Sequence, residues 1–519
     1  MKKTTYLLTI AVITILTAKL SAQPGSLDTG FDTDGKVTTQ IGTSDDLILA
    51  IAIQPDGKIV AAGYSYNGAD NDFALARYQK NGMLDSSFSA DGKLVTDIDT
   101  NNENATSVAI QTDGKIVAAG YHHNGSNFDF AIIRYNSNGT FDPTFNSNGV
   151  VLTNVGSGND YIYSLAIQPD GKIVVAGTAS NGTDLDFALA RYNTNGSLDN
   201  TFGTAGITIT DFGSGNDIVN SLRILPDGRL IAAGGSENGT DDDFALACYT
   251  QVGTLAISFG NNGLVTTDFG SGDDIANSVF DNLSGTIMVA GSSENGADRD
   301  FILARYEEDG ELDTSFNGVG YVTTAIGDNH DDAHSVFPQP DGNLVVSGST
   351  WNGNDWDFAL CRYTTEGDLD NTFGTNGIVT TDIGTYDDGV NSSAILPEGS
   401  VIVVGYSGNG TDADFVLAKY YLWTPSAVID LSGPENQLWI YPNPIEQEAT
   451  LKYSLVEEEE ISIYLVDMQG RILKSFIDCE KQEAGQHEQV IALPEDLPSG
   501  NYLLVLSAPD ARVSIQLVK

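Results

Sequence analysis

The chain has 519 residues and a mass of 55.0 kDa, which is too long for one ordinary compact core unless that core is built from repeats. Acidic residues number 71 and basic residues 24, giving a net charge of −47, and such a field argues against nucleic acid or an anionic membrane as a partner. It is compatible with oxygen-ligated cations such as calcium. The three cysteines, Cys248, Cys361 and Cys479, are too far apart in sequence to indicate a disulfide framework or a zinc site.

Residues 1–22 have the order of a secretory signal peptide. Lys2 and Lys3 precede an apolar run from Tyr6 to Thr17, and the small residues Ser21 and Ala22 follow, so we expect cleavage after Ala22. The run is shorter than the ~20 apolar residues that span a bilayer. No later segment approaches that length, and no transmembrane segment is expected in the mature chain.

A period of 57 residues organises residues 25–423 into seven units without insertions. The turn glycine of a PDGK motif recurs at Gly57, Gly114, Gly171, Gly228, Gly285, Gly342 and Gly399. The phenylalanine of a DFALARY motif follows the same step at Phe73, Phe130, Phe187, Phe244, Phe301, Phe358 and Phe415.

Each unit contains four short β-prone runs separated by turn residues. In the third unit these runs span residues 164–168, 172–177, 186–192 and 207–210. Pro169-Asp170-Gly171 suits a tight turn between the first two runs, and Asn181-Gly182 is a strong hairpin signal because both residues tolerate positive φ. Small residues at the end of the second run, Ala176 and Gly177, suggest crowded packing near the centre of the fold or between sheets.

Four antiparallel strands repeated seven times predict an all-β fold, a seven-bladed β-propeller. A β-solenoid is the alternative, but its rungs are shorter than 57 residues and it needs caps at both ends. The array begins with a fourth-strand segment, residues 35–39, and ends with a third-strand segment, residues 414–421. We therefore expect the N-terminal strand to complete the last blade, which leaves no broad unpaired edge.

The succession of PDGKIVAAG, DFALARYN and GSLDNTFG resembles the delta-60 repeat, a β-propeller repeat of secreted bacterial proteins. This resemblance covers residues 25–423 and implies the propeller fold. It brings no common catalytic set.

The period stops after Trp423, and residues 424–437 are interpreted as a linker. In residues 438–519, short alternating runs predict a small antiparallel β-sandwich. This segment resembles the type A sorting domain of the type IX secretion system, in the motifs Tyr441-Pro442-Asn443-Pro444, Asp467-Met468-Gln469-Gly470-Arg471 and Leu497-Pro498-Ser499-Gly500-Asn501-Tyr502 and in the closing Val518-Lys519.

The resemblance implies export across an outer membrane by the type IX machinery, which would be a partner. It also implies removal of the domain, with the protein released outside the cell or attached to the outer-membrane surface. An ordinary sandwich adhesion module is the alternative interpretation of residues 438–519.

Two series of acids are expected on one face of the propeller, because the hairpin loop after the second strand and the link to the next blade emerge on the same side. The hairpin loops carry carboxylates two residues apart, which are candidate calcium ligands: Asp184 and Asp186, Asp298 and Asp300, Asp412 and Asp414. The links carry Asp46, Glu103, Asp160, Asp217, Asp274, Asp331 and Asp388.

The other interpretation of the hairpin acids is structural, and the sequence favours it because repetition within one chain indicates shared architecture. Asn and Asp would accept backbone hydrogen bonds in the turns. The last Asp of each loop would then pair with neighbouring loops or with the arginines Arg77, Arg134, Arg191, Arg305 and Arg362.

Function is expected where the repeat is broken, and unit six differs most. Its candidate ligand-binding residues are Trp351, Trp356, His330, His334, Asp331 and Asp355. Two indoles near carboxylates could stack on a sugar ring and bind its hydroxyls, and the two histidines could bind a transition metal. Drift at exposed loops is the competing and preferred explanation, and it also covers His122, His123, Cys248 and Cys361.

No nucleophile with a base, no phosphate loop and no specific carboxylate pair can be assembled from the sequence. We therefore predict a secreted or cell-surface, non-enzymatic propeller that binds glycans or proteins on its acidic face. Two alternatives remain: a propeller hydrolase that acts on polysaccharide in the central channel, and a structural or adhesive surface protein stabilised by calcium.

Overall fold

The computed structural model describes residues 23–422 and 439–519, with gaps at residues 214, 282–284, 297, 328, 340, 397–398, 442–444, 446, 456–458, 468–471, 495–496, 499 and 509–510. The predicted signal peptide and linker lie outside the described residues, as do Trp423 and parts of the sorting motifs. Every regular element in the described ranges is a β-strand, which confirms the all-β fold. No helix among those residues has the length and apolarity to cross a membrane.

Residues 36–421 form seven four-stranded antiparallel sheets, called blades 1 to 7 here. Blade 1 contains β2 (Asp46–Ile53), β3 (Ile59–Tyr66), β4 (Asn71–Tyr78) and β5 (Lys93–Thr96). Blade 2 contains β6 (Glu103–Ile110), β7 (Ile116–His123), β8 (Phe128–Tyr135) and β9 (Val150–Thr153). Blade 3 contains β10 (Asp160–Ile167), β11 (Ile173–Ser180), β12 (Leu185–Tyr192) and β13 (Ile207–Thr210).

Blade 4 contains β14 (Asp217–Ile224), β15 (Leu230–Glu237), β16 (Asp242–Tyr249) and β17 (Leu264–Thr267). Blade 5 contains β18 (Asp274–Asp281), β19 (Ile287–Glu294), β20 (Arg299–Tyr306) and β21 (Tyr321–Thr324). Blade 6 contains β22 (Asp331–Pro338), β23 (Leu344–Trp351), β24 (Trp356–Tyr363) and β25 (Ile378–Thr381). Blade 7 contains β26 (Asp388–Ile395), β27 (Ser400–Gly408), β28 (Ala413–Tyr421) and β1 (Lys36–Thr39).

The first strand of each blade is bent by a β-bulge close to the second strand. In blade 3 the register between β10 and β11 shifts between Ile162 and Ser164. A Cβ atom on Gly177 would lie 1.7 Å from the carbonyl oxygen of Tyr161, so only glycine fits at this position. The crowding predicted at the end of the second run is therefore real, and its cause is the bulge.

Neighbouring blades bury their apolar faces against one another. Between blades 3 and 4, Val174, Phe187 and Leu189 pack with Val219, Leu230 and Tyr249 in one buried cluster. The first strands of successive blades also contact one another around the ring, including β2 of blade 1 with β26 of blade 7. They are therefore the innermost strands and surround the central channel.

The two ends of the repeat array meet in blade 7. Strand β1 pairs antiparallel with β28, with Val37 opposite Leu417, as the order of the sequence segments predicts. Backbone hydrogen bonds extend the join, from Gly25 N to Tyr421 O at 2.6 Å and from Asp28 N to Lys419 O at 2.7 Å. An ion pair of 3.0 Å between Lys419 Nζ and Asp28 Oδ2 completes this clasp.

The repeated arginine does not pair with the last hairpin aspartate, so that part of the structural interpretation is wrong. In blade 1, Arg77 Nε contacts Asp85 Oδ2 at 2.8 Å, and its guanidinium lies 4.8 Å from the centre of the Phe88 ring. Lys58 Nζ approaches the same carboxylate at 3.1 Å. The arginine lies towards the end of the third strand, whereas the hairpin aspartate lies at its beginning, so the strand itself keeps them apart.

Residues 439–519 contain two further sheets. One holds β29 (Trp439–Tyr441), β30 (Glu448–Leu455) and β33 (Gly485–Ala492), and the other holds β31 (Glu459–Val466), β32 (Ile472–Gln482), β34 (Asn501–Ala508) and β35 (Ala511–Val518). Residues of both sheets, among them Leu451, Ile491, Ile463 and Leu504, share one hydrophobic cluster. This arrangement agrees with a small sandwich.

Removing residues 23–39 from the mature chain should leave the outer edge of β28 unpaired. We expect a lower melting temperature and concentration-dependent aggregation, because a bare strand edge is a template for intermolecular pairing. Differential scanning calorimetry and light scattering on the chain that starts at residue 23 and on the truncated chain measure this. Equal melting temperatures would show that the clasp does not stabilise the ring.

Asp85→Asn should destabilise the protein in a pH-dependent manner. Burial alone would raise the pKa of Asp85, but hydrogen bonds from Ser87 and the charges of Lys58 and Arg77 lower it to about 2. The folded-state pKa is thus below the unfolded value of about 3.9, so the ionised group stabilises the fold above about pH 4 and this contribution is lost as the pH falls towards 2. Urea unfolding should show the largest gap between wild type and variant near pH 7.

The control for this series is Asp91→Asn, at an exposed turn of the same blade. At pH 7 this substitution should change the free energy of unfolding by much less than Asp85→Asn does. A gap for Asp85→Asn that stays constant down to pH 2 would contradict the assignment.

Candidate functional site

One end of the ring collects both predicted series of acids. In blade 3, β11 ends and β12 begins at the hairpin of residues 181–184, and the link from β13 reaches β14 on the same side. We call this end the loop face. The sequence predicted correctly that hairpin loops and blade links share it.

The linking acids are buried and cap the loops between blades. Asp217 is fully buried, and its Oδ2 accepts a hydrogen bond of 2.7 Å from the backbone N–H of Phe212. Asp274 Oδ2 accepts the equivalent hydrogen bond from Phe269 N–H, and Asp388 Oδ2 accepts it from Ile383 N–H, each at 2.7 Å. Each linking acid therefore fixes the loop that joins its blade to the preceding one.

Asp331, proposed from the sequence as a ligand-binding residue, belongs to this series. It is fully buried and its Oδ2 accepts a 2.7 Å hydrogen bond from Ile326 N–H. Burial raises the pKa of Asp331. Its place in the fold gives it a structural role in the link.

In the hairpin loops, one asparagine amide bridges two carboxylates. Asn181 Nδ2 donates to Asp184 Oδ1 and, at 2.9 Å, to Asp186 Oδ2. Asn409 bridges Asp412 and Asp414 in the same way. The predicted Asp184 and Asp186 pair is thus held by an amide donor, as the structural interpretation expected.

The last hairpin aspartate instead meets acids of the next link. Oxygen atoms of Asp186, Asp211 and Asp217 lie within 4.8 Å of one another, where blade 3 joins blade 4. Four further groups occur among the described residues, and three of them contain carboxylates only: Asp72, Asp97 and Glu103; Asp243, Asp268 and Asp274; Asp357, Asp382 and Asp388. The fourth combines Asp99, Glu103 and His122. The predicted pairs Asp298–Asp300 and Asp412–Asp414 belong to no such group in those parts of the chain.

A second feature of the loop face is an aromatic cluster between blades 2 and 3. Tyr121 and Tyr161 approach edge to face with ring centres 4.9 Å apart, and Phe128 lies 5.3 Å from both. Tyr163 is the bulge residue of β10 and lines the channel, and its ring centre lies 6.2 Å from that of Tyr161. All four rings are partly exposed. Burial raises the pKa of Tyr163 to about 12, with a smaller contribution from Tyr161, so its hydroxyl is neutral at physiological pH.

The three positions that form this cluster vary from one blade junction to the next. Between blades 5 and 6 they hold a polar set, in which Ser292 Oγ donates to Asp332 Oδ1 at 2.9 Å and Arg299 contacts Asp332 at 3.5 Å. The four-stranded blades beneath them repeat at every junction. The chemistry of the loop face is therefore set at these junction positions.

In unit six the two tryptophans do lie together. Trp351 and Trp356 are cross-strand neighbours with ring centres 5.8 Å apart, and both are partly exposed. The carbonyl oxygen of His330 accepts from Trp351 N–H at 2.9 Å, so the exposed histidine lies beside them. Asp355 Oδ1 accepts a 2.5 Å hydrogen bond from Asn352, as its counterparts do in other loops.

His330 and His334 are four residues apart, on the link and on strand β22. The rise of a strand separates their Cα atoms by roughly 13 Å, which argues against one shared metal ion. His334 occupies the bulge position of the channel wall. Desolvation lowers the pKa of His334, and Arg299 lowers it further against the opposing effect of Asp332.

Four of the seven bulge residues, Thr106, Asn220, Asn277 and Asn391, donate hydrogen bonds to the next blade around the channel. Asn277 Nδ2 donates to Ala333 O at 2.9 Å in the next blade, and Asn391 Nδ2 donates to Ile48 O at 2.7 Å across the junction of blades 7 and 1. Leu49, Tyr163 and His334 stand at the equivalent positions. The channel wall is thus largely structural, with these three side chains as variants.

Comparison with protein families agrees with the geometry. A model described as a domain of unknown function (DUF5122) β-propeller matches six segments, residues 54–88, 111–145, 168–202, 225–255, 284–316 and 339–373. A model of a secretion-system C-terminal sorting domain matches residues 439–519. The chain carries DUF5122 propeller repeats and a type IX sorting domain.

The sorting domain makes this DUF5122 propeller a protein secreted to the extracellular space or the cell surface, with the type IX machinery as a partner. The predicted location, outside the cell or at its surface, is therefore confirmed. No curated protein matches the chain.

Several solved structures are similar in fold to this chain. Sqt1 from Chaetomium thermophilum has 12% identity and a TM-score of 0.40, covering 74% of this chain and 99% of its own. The polysaccharide lyase Uly1 has 11% identity and a TM-score of 0.45, covering 78% and 94%. The gluconolactonase XC5397 from Xanthomonas campestris has 11% identity and a TM-score of 0.33, covering 77% and 97%.

Sequence reasoning missed the aromatic cluster of the DUF5122 propeller. Tyr121, Phe128 and Tyr161 lie in two different units, and none of the three belongs to a repeated motif. A comparison of equivalent positions across the seven units would have shown that blades 2 and 3 place aromatic residues at the same junction.

Asn181→Ala should destabilise blade 3, because the amide is the donor shared by Asp184 and the buried Asp186. Leaving such a group without its partner costs about 1–3 kcal/mol. Urea unfolding of the full mature chain measures the change in the free energy of unfolding. Thr183→Ala, at an exposed position of the same loop, is the control, and an equal effect of the two substitutions would contradict the bridging role.

Proposed function

We propose that this secreted propeller is a non-catalytic binding scaffold that recognises carbohydrate on its loop face, at the mouth of the channel. The observation that carries the proposal is the cluster of partly exposed rings formed by Tyr121, Phe128, Tyr161 and Tyr163. Partly exposed aromatic groups on a soluble surface are typical of ligand sites.

The chemistry of the cluster suits sugars. Pyranose rings present apolar C–H faces that pack on aromatic rings, and tyrosine adds a hydroxyl that hydrogen-bonds at the edge. The cluster spans two blades, with Tyr121 and Phe128 from blade 2 and Tyr161 and Tyr163 from blade 3. Trp351 and Trp356 offer a second apolar surface on blade 6, which suits a ligand with several sugar units.

The alternative function is a polysaccharide hydrolase, for which Glu103 is the candidate general acid. Burial raises the pKa of Glu103 to about 8, a value suited to a general acid, with Asp72 and Asp99 raising it further against two backbone N–H donors. However, Glu103 is fully buried, and its Oε1 accepts from Asp99 N–H at 3.3 Å. A carboxyl group engaged in this way cannot reach a glycosidic oxygen, so binding is the better-supported function.

The test is a glycan array and titration calorimetry with the full mature chain. Tyr121→Ala combined with Tyr161→Ala should weaken binding of the identified glycan more than tenfold, because removing two stacking rings loses roughly 1.5 kcal/mol or more. Trp351→Ala with Trp356→Ala tests the second surface in the same assay.

The matched control is Tyr386→Ala, an exposed tyrosine on the link into blade 7. It should bind as the wild type does. Unchanged affinity in the Tyr121/Tyr161 variant would refute the site, and release of shorter sugars from any bound glycan would refute the non-catalytic role.

A further inference from the structure

The junction of blades 3 and 4 contains three carboxylates and a marked imbalance of charge. Asp186 comes from the start of β12, Asp217 from the start of β14, and Asp211 from the link between them. The groups that act on the pKa values of Asp186 and Asp217 include other aspartates but no lysine or arginine.

Buried oxygens at this junction have no partner. Asp186 is only 4% exposed and Asp217 is fully buried, yet Oδ1 of each lacks a hydrogen bond of normal geometry among the described residues. The Ser236 hydroxyl lies close enough to Asp217 to lower its pKa, whereas Asp186 Oδ1 has no such neighbour among those residues. The other oxygen of each is engaged, by Asn181 and by Phe212 N–H. A buried, charged oxygen without a donor is costly, so a positive ligand would stabilise this arrangement. Oδ1 of Asp129, Asp331 and Asp414 is likewise buried without a partner in the described part of the chain.

Buried oxygens without a partner also occur at the junction of blades 1 and 2, where His122 Nε2 lies 3.8 Å from Glu103 Oε1. Oδ1 of Asp72 and Oε2 of Glu103 are buried without a partner in the described part of the chain. Asp72 is 4% exposed and Glu103 is fully buried. The feature is thus repeated, although Glu replaces Asp in the second case.

The geometry fits a calcium ion. Carboxylate oxygens bind Ca²⁺ at 2.3–2.6 Å, so two ligands on opposite sides of the ion lie up to about 5 Å apart. The oxygens of Asp186, Asp211 and Asp217 lie within 4.8 Å of one another. Asp211 is exposed, so a hydrated ion can reach the junction from solvent and keep water ligands.

We propose that junctions carrying three acids bind calcium between successive blades, through the last hairpin aspartate, the acid that follows the fourth strand, and the linking acid. Four junctions meet this description, those of blades 1 and 2, 3 and 4, 4 and 5, and 6 and 7. Each ion would join two blades and neutralise charge that the fold itself concentrates.

The remaining three junctions are natural comparisons. They keep the two outer acids but replace the exposed middle one, with Asn154, Ala325 and Gln40. The junction of blades 5 and 6 therefore has Asp300, Ala325 and Asp331, and it lacks one carboxylate of the proposed set.

Equilibrium dialysis with radioactive calcium tests the proposal on the full mature chain. Asp211→Asn combined with Asp268→Asn alters two exposed middle acids and should lower the number of bound calcium ions by about two. The matched control, Asp184→Asn with Asp241→Asn, removes the same charge from the same face but lies outside the proposed sets, and it should leave the number unchanged.

A gain-of-site variant complements this loss. Ala325→Asp should add about one bound ion, and circular dichroism confirms that each variant is folded. Calcium should also raise the melting temperature of the wild type more than that of the Asp211/Asp268 variant.

Equal losses in the test and control variants would assign the bound calcium to the diffuse field of a strongly acidic protein and overturn the proposal. No loss on changing Asp211 and Asp268, or no calcium bound by the wild type at millimolar concentration, would overturn it as well.

Discussion

The structure depends on the packing of one blade against the next. A single four-stranded sheet of this propeller is apolar on both faces and cannot bury either face alone, so each hydrophobic cluster is built from two blades, as Phe187 and Tyr249 illustrate. A linear array would leave one such face exposed at each end. The clasp between β1 and β28 and the contact of β2 with β26 remove both ends at once.

The same requirement explains why so many polar residues repeat. Buried tyrosines tie adjacent blades through hydroxyl contacts, such as Tyr192 to Thr153 at 2.9 Å, and linking acids such as Asp217 fix the loops between blades. At the end of the ring opposite the loop face, arginines such as Arg77 form ion pairs with acids such as Asp85. These residues recur because every junction has to hold two blades together.

Much of the fold could be predicted because turn chemistry and strand alternation are local properties. The hairpin at Asn181-Gly182 and strand β13 lie where the pattern indicated. The first strand begins at Asp160, four residues earlier than its apolar run suggested, because the polar start of the strand is buried by the blade link. The arginine pairing was mispredicted since several acids per unit are equally close in sequence, and only the strand direction decides among them.

The site was harder to predict because it is assembled across junctions. Trp351 and Trp356 were visible as a broken repeat within one loop, and the structure does bring them together. Tyr121 and Tyr161 meet although 40 positions separate them in the sequence, and Asp186 meets Asp217 in the same manner. Side chains of different units become neighbours only once the ring order and the bulge are known.

The loop face therefore has two kinds of position with different constraints. Junction acids lie partly beneath the surface, where burial and mutual repulsion oppose their charge, and they influence whether adjacent blades hold together. Junction positions such as those of Tyr121 and Ser292 lie above them, where a change of side chain leaves the strands intact. Substitutions at one junction can therefore change what the scaffold binds there without affecting the other six junctions. The contacts that close the ring lie below these positions, between the packed blades.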